Sequence, residues 1–274
     1  MGVVVIWLAG SYLTKPVTAK FEAPPSNVDE VSFTSESGSL IQGWLFTVRE
    51  PVAQAVLMHG VRSSRAQMID RAKHLQQLGI QSLVFDFQAH GESPGDIITL
   101  GYLESFDAQA AVTYMSDAMP ELPMLVIAVS MGGAAAILAE PNLDVDAFIV
   151  ESVYPDIEAA ISNRLKSRLP SGHLLTPLLT LQIEPRIGIP LTRLAPASYA
   201  TNITAPVLVL SGAKDKHTTV TDTQRLFASF TGPKALHLFK DAGHDDLEYF
   251  DTQQYWQVVE PFIARYILGG QGSR

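Results

Sequence analysis

At one point in the chain a serine passes between an apolar run and a row of small residues: Ala128-Val129-Ser130-Met131-Gly132-Gly133, preceded by Met124 to Val129 and followed by Ala134-Ala135-Ala136-Ile137-Leu138. A serine set directly between a buried strand and a helix sits in a sharp turn, and the positions two before and two after it crowd each other, which demands small side chains there. The turn lifts the hydroxyl above the sheet. The helix N-terminus then points at it, and the free N–H groups and positive dipole end favour negative charge on a substrate oxygen. No cysteine is present, so there is no thiolate nucleophile, disulfide framework or Cys-based metal site, and covalent chemistry falls to another side chain. Polar groups also follow the other strand-like runs: His59-Gly60-Val61, Asp86 to Ser93, Glu151-Ser152, Ser211 to Asp215 and Lys240 to His244.

Positioning these groups requires strands that end next to one another. Short β-branched or apolar runs occur at Val31 to Thr34, Leu40 to Phe46, Ala55 to Met58, Gln81 to Phe85, Met124 to Val129, Ala147 to Val150, Val207 to Leu210 and Ala235 to Phe239. Helical spacing lies between the later ones: Met68, Ala72 and Leu75 before Gly79, and Leu103, Phe106, Ala110 and Tyr114 within Leu103 to Met119. Apolar strands alternating with helices predict an α/β fold with a mostly parallel sheet covered on both faces, and the first two runs predict an antiparallel edge hairpin. Ligand sites in such sheets lie at the carboxyl ends of the strands. The segment between Val150 and Val207 is too long for a structureless loop. It is leucine-rich, with Pro170, Pro177, Pro185 and Pro190, and it predicts a small helical cap, about 153–204, inserted after the sixth strand.

With the serine elbow in place, the chain resembles the α/β-hydrolase superfamily, whose elbow reads G-x-S-x-G, with Ala128 here where glycine is usual. The resemblance extends over about residues 28–268. It implies the chain order Ser, Asp or Glu, His, each after a later strand. Gly212-Ala213-Lys214-Asp215 resembles the acid turn and makes Asp215 the acid; Gly243-His244 resembles the terminal turn before the last helix and makes His244 the base. The oxyanion hole is then expected at the backbone N–H groups of Met131 and Val61. Within the superfamily the pattern is similar to bacterial serine esterases, lysophospholipase-like enzymes and serine aminopeptidases. A serine nucleophile argues against the dehalogenase and epoxide hydrolase chemistry that the same fold performs from aspartate.

The remaining polar groups have plainer readings. Of the seven histidines, His74, His237, His173 and His217 read as structural or solvated and His90 as a turn residue beneath the site, while the resemblance implies that His59 supports the loop after its strand. Asp241, Asp245 and Asp246 read as solvated neighbours of His244. Glu151, a second carboxylate at the open end, reads as support for the cap entrance, with catalysis as the alternative.

The chain has 274 residues, 47% of them apolar and 17% charged, with a net charge of −9. Those values exclude a disordered or low-complexity chain. The acidic balance, without a Lys/Arg cluster, excludes a partner bound through phosphates such as nucleic acid. Neither a cofactor nor a metal site is expected. Gly2 to Leu13 is a twelve-residue uncharged stretch before the linker that ends at Asn27. It is shorter than the roughly 20 residues of a spanning helix. Three readings stay open: the tail of a membrane anchor, which would place the protein at a membrane rather than in the cytoplasm, an apolar helix packed on the domain, or an atypical signal sequence. Residues 269–274 read as a tail. The expected activity is hydrolysis of small to medium carboxylic esters, a small-molecule substrate class. A thioesterase or lysophospholipase is the enzyme alternative, and a ligand-binding receptor or scaffold of the same fold the non-enzyme one.

Overall fold

A computed structural model describes the chain apart from residues 1–6, 8–9, 22–23, 26–27, 170 and 270–274. Eight strands form one sheet in the order β10-β9-β8-β7-β4-β5-β3-β2: β2 (Val28–Thr34), β3 (Leu40–Phe46), β4 (Ala53–Met58), β5 (Ile80–Phe85), β7 (Met124–Val129), β8 (Ala147–Glu151), β9 (Val207–Gly212) and β10 (Lys234–Phe239). The pairs β2·β3 and β3·β5 are antiparallel, and the rest are parallel. Strands β4, β5, β7, β8 and β9 are buried along their whole length, which is why they read as continuous apolar runs.

Side chains alternate between two cores. Val56, Met58, Val126 and Ala128 face one, together with residues of α2 (Tyr102–Ala118) and α3 (Met131–Leu138). Ala55, Leu57, Leu125 and Ile127 face the other, under α1 (Ile69–Gln77) and the last helix, which is α10 (Thr252–Tyr266). This strand periodicity of two places a helix layer on each face. The spacing that aligned Leu103, Phe106, Ala110 and Tyr114 marks only the half-buried side of α2; the fully buried side carries Glu104, Asp107, Ala108, Ala111 and Met115. Two carboxylates face inward because backbone donors meet them. Glu104 accepts from Thr99 N (2.9 Å) and Gly101 N (2.8 Å), and Asp107 from Gln88 N (2.8 Å).

The cap runs from β8 to β9 through α4 (Ile157–Arg168), α5 (Thr176–Thr180), α6 (Ile183–Ile187) and α7 (Pro196–Tyr199), with 3-10 turns between them. Pro177 opens α5, where its missing N–H costs no bond. Residue 170 lies outside the described residues.

The apolar start meets this cap. Residues 10–14 are helical, and Arg186 of α6 donates to Ser11 Oγ (2.8 Å) while its guanidinium lies over the Trp7 ring at 3.9 Å. Arg62, on the loop after β4, donates to Tyr12 O (3.0 Å) and lies over the Tyr12 ring. The chain then continues as β1 (Val17–Thr18), parallel to β6 (His90–Gly91). The rest of the Gly2 to Leu13 stretch, residues 2–6, 8 and 9, lies outside the described residues. Among the described residues no helix is long and apolar enough to cross a membrane.

Burial raises the Asp107 carboxyl from 3.8 to about 6. A folded-state pKa raised above the unfolded one contributes stability that is complete below pH 3.8 and is lost as pH rises through about 6. The difference corresponds to about 3 kcal/mol. Asp107→Asn keeps an oxygen for Gln88 N–H and removes the titration. Its urea midpoint, measured from pH 4 to 7, is expected to fall less with rising pH than that of the wild type; parallel profiles would refute this.

Candidate active site

Ser130 joins β7 to α3 at φ 49° and ψ −109°, a conformation that a β-carbon disfavours and that persists only where the surroundings impose it. The surroundings are visible. Ser130 N donates to Glu151 O at the end of β8 (2.7 Å). A β-carbon on Gly132 would stand 2.6 Å from His59 O and 2.8 Å from Met58 O, and one on Gly133 would overlap the Val153 side chain. Only glycine therefore fits at these two places. Ala128 is different, because it pairs with Met58 and Val150 in regular strand register and its methyl enters the core on the α3 side. A methyl is therefore accommodated at the position where the G-x-S-x-G elbow that this turn resembles has glycine.

The structure brings Asp215 and His244 to this serine. Lys214 N donates to Ala242 O (2.9 Å), and a β-carbon on Gly212 would overlap Gly243 O, so the loops after β9 and β10 pack backbone to backbone. Asp215 Oδ1 accepts from His217 N (2.7 Å) and Thr218 N (2.9 Å), and Oδ2 accepts from His244 Nδ1 at 2.7 Å. Burial pushes the Asp215 carboxyl up, but His244 and those two N–H groups together leave it below the usual range. The proton of His244 accordingly belongs on Nδ1. That leaves Nε2 as acceptor toward Ser130 Oγ, 3.4 Å away. Ser130 and Asp215 are each 5% exposed, while the His244 side chain is 22% exposed.

Val61 and Met131 flank the serine. Met131 is the first residue of α3, and a β-carbon on Gly60 would lie 3.7 Å from Ser130 Cβ. Two buried imidazoles hold the Val61 loop. His59 Nδ1 donates to Gly60 O (2.7 Å) and its Nε2 accepts from Phe87 N (3.2 Å); His90 Nδ1 donates to Gln88 O (3.0 Å) and its Nε2 accepts from Arg62 N (3.1 Å). Burial, reinforced by His90, lowers His59 to about 3, and burial also lowers His90. Both rings are therefore neutral, as an acceptor nitrogen requires. His90 does more than fill a turn, since it fixes the backbone one residue past Val61.

Two other readings need correction. Asp246 is not a solvated neighbour of His244: it accepts from Arg71 Nη1 (3.2 Å) and Nη2 (2.8 Å) and from Gln67 Nε2 (3.1 Å). Glu151 supports the base loop rather than the cap entrance. Its carboxylate takes Arg71 Nε (3.1 Å) and Nη2 (2.8 Å) and the Tyr255 hydroxyl (2.6 Å). Burial works against the charge on Arg71, yet Glu151, Tyr255 and Asp246 hold its pKa above the ordinary value. Gln67 and Arg71 escaped sequence reasoning because both sit in an ordinary amphipathic helical segment. A polar pair facing the same side as Met68, Ala72 and Leu75 was the available signal. Among the described residues no cluster of three His, Asp or Glu is arranged to hold a metal ion.

Breaking a buried ion pair from one side leaves a bare charge and costs about 3–5 kcal/mol. Arg71→Ala is expected to lower the unfolding free energy by that amount in urea titrations, and Arg71→Ala with Glu151→Gln is expected to recover part of it. A double variant no more stable than Arg71→Ala would refute the ion-pair account.

Residues 49–170 match the family model described as serine aminopeptidase S33. The uncharacterised protein YqkD of Bacillus subtilis is 25% identical over 235 residues, 84% of this chain and 77% of that protein. An uncharacterised protein of Mycobacterium tuberculosis is 26% identical over 260 residues, 93% and 86% of the two chains. Among solved structures, the Pyrococcus furiosus esterase Pf2001 superposes with a TM-score of 0.74 at 22% identity, over 92% of this chain and all of that one (100%). An acetyl xylan esterase from Paenibacillus sp. R4 gives 0.70 at 16% identity, over 96% and 93%. With its eight-stranded sheet and its cap after β8, the chain has the α/β-hydrolase fold seen in these solved structures, and residues 49–170 are similar to the serine aminopeptidase S33 family.

Proposed function

We propose that the protein is a serine carboxylesterase acting on small to medium acyl esters. The observation that carries this reading is the continuous line of polar contacts Ser130 Oγ, His244, Asp215, at 3.4 and 2.7 Å. Ser130 Oγ attacks the acyl carbonyl while its proton passes to His244 Nε2. Asp215 keeps the ring in the required tautomer and stabilises the imidazolium. The N–H groups of Met131 and Val61 hold the oxyanion; one such donor is worth about 2.7–4 kcal/mol in other hydrolases. Collapse of the tetrahedral intermediate expels the alkoxide, which takes the proton back from His244. Water then repeats the sequence on the acyl-enzyme and releases the acid. The Ser–His contact is at the loose end of hydrogen bonding, as is common before substrate draws it tighter.

Cap chemistry supports an ester in preference to a peptide with a free amino terminus. Such a peptide needs a carboxylate for its amine, and Glu184, the cap residue suited to that, is exposed. Of the cap leucines, Leu165 and Leu179 pack on the core, while Leu169, Leu174 and Leu178 are exposed, as is Leu181. This outward apolar group favours one second reading, a lysophospholipase or thioesterase that takes long acyl chains.

Ser130→Ala is expected to fold normally and to lose activity on p-nitrophenyl butyrate by a factor of about 10⁶ in turnover; retention of more than a few per cent would overturn the assignment. Asp215→Asn is expected to lose about 10⁴. Rates on p-nitrophenyl esters of rising chain length separate the two readings, with a maximum at short or medium acyl groups expected. A maximum at long chains or thioesters supports the second, and a single turnover without steady hydrolysis would instead identify a ligand-binding receptor.

A further inference from the structure

One side chain touches both loops that converge on Ser130. Gln67, in the 3-10 turn Arg65–Met68 before α1, accepts from Gly60 N at Oε1 (2.9 Å) and donates through Nε2 to Asp246 Oδ2 (3.1 Å). Gly60 precedes Val61, and Asp246 lies two residues beyond His244. The orientation of the amide follows from its partners, because a backbone N–H only donates and a carboxylate only accepts.

We propose that Gln67 is a positioning residue that locks the oxyanion loop and the base loop into one arrangement, so that Val61 N–H and His244 Nε2 address the same point above Ser130. The proposal rests on the roles given above to Ser130, Val61 and His244.

Three features carry it. First, the contact is specific to an amide: an acceptor and a donor on one planar group are needed at once, facing opposite loops. Second, Gln67 is itself clamped on both sides along the chain. Arg65 N donates to Asp86 Oδ1 (2.7 Å), and the Arg65 guanidinium pairs with Asp86 (3.2 Å) and Glu92 while lying over both the Phe21 and Trp44 rings, 4.5 Å from each. Four residues after Gln67, Arg71 grips Asp246 and Glu151. The backbone that carries the amide is thus anchored on either side by a buried arginine, the kind of support that keeps a functional group within a fraction of an ångström of its place. Third, the stakes of displacement are high. A neutral hydrogen bond contributes only about 1 kcal/mol to stability, whereas a misplacement of about 1 Å in reacting groups costs about 100-fold in rate.

The test uses the full chain and p-nitrophenyl butyrate. Gln67→Ala is expected to lower kcat by about 10- to 100-fold with KM within about twofold of wild type and with most of the thermal stability retained. Inhibition by n-butylboronic acid, which forms a tetrahedral adduct on the serine, is expected to weaken in proportion to kcat/KM; a merely structural role would not produce that parallel. Gln67→Glu keeps an acceptor for Gly60 N–H but faces Asp246 with a second carboxylate, and protonation restores the missing donor. Its activity relative to wild type is therefore expected to rise as pH falls toward 5. Ser130-dependent activity with kcat of Gln67→Ala within threefold of wild type overturns the proposal alone, as does unchanged boronate affinity. Activity that survives Ser130→Ala overturns the reading beneath it and the proposal together.

Discussion

Everything at the open end of the sheet is arranged around a crowded turn. Ser130 occupies a backbone conformation worth about 1–3 kcal/mol of strain, and the neighbours that impose it also form the site. The carbonyls of Met58 and His59 press against Gly132, so β4 and the helix after the elbow approach as closely as backbone permits. The Ser130 N–H is tied to Glu151, the residue whose side chain engages Arg71. The strain is thus maintained by the ends of β4 and β8, the first of which carries the loop bearing Val61, while the second is tied through Arg71 to Asp246 beside His244. The loop after β4 cannot shift without loosening the turn.

Charge is distributed around this turn with a clear division of labour. The groups that shape the Val61 loop are neutral: His59 and His90 are held uncharged by burial and act through acceptor nitrogens. Asp215 aside, full charges are placed one layer further out, where Arg65 meets Asp86 and Glu92, and Arg71 meets Glu151 and Asp246. Buried ion pairs of this kind return little net stability relative to a well-packed apolar core, since desolvation offsets attraction. What they supply is geometry: a guanidinium with five donors in a fixed plane joins several chain segments that have no ladder or helix in common.

The parts legible in the sequence are those whose signals are local. The elbow announces itself in six consecutive residues, the strand ends follow from apolar runs, and the turns holding Asp215 and His244 follow once the resemblance sets their order. Strands β3 and β7 coincide with their apolar runs, and the other six extend beyond theirs by one to three residues, because backbone pairing continues past the apolar side chains, at the end as at Glu151 and Gly212 or at the start as at Lys234. Harder to read were groups whose partners lie far away in the chain. Arg71 meets residues 80, 175 and 184 positions distant, and nothing near Arg71 announces them. The inner face of α2 was obscure for a related reason: Glu104 and Asp107 face the core because the turns at Thr99 to Gly101 and at Gln88 bring N–H groups to them. Periodicity of apolar residues carries no trace of such donors.

The same distances bear on how the molecule comes into being. Contacts of long sequence separation form only after the intervening chain has been drawn in, and they slow folding accordingly. During synthesis Arg71 and Glu151 leave the ribosome well before Asp246 and Tyr255. The guanidinium can acquire its last two partners only when the C-terminal segment docks. A nascent chain therefore holds the strained serine elbow without the loop that bears His244, and the site is completed as the final helix settles on the sheet.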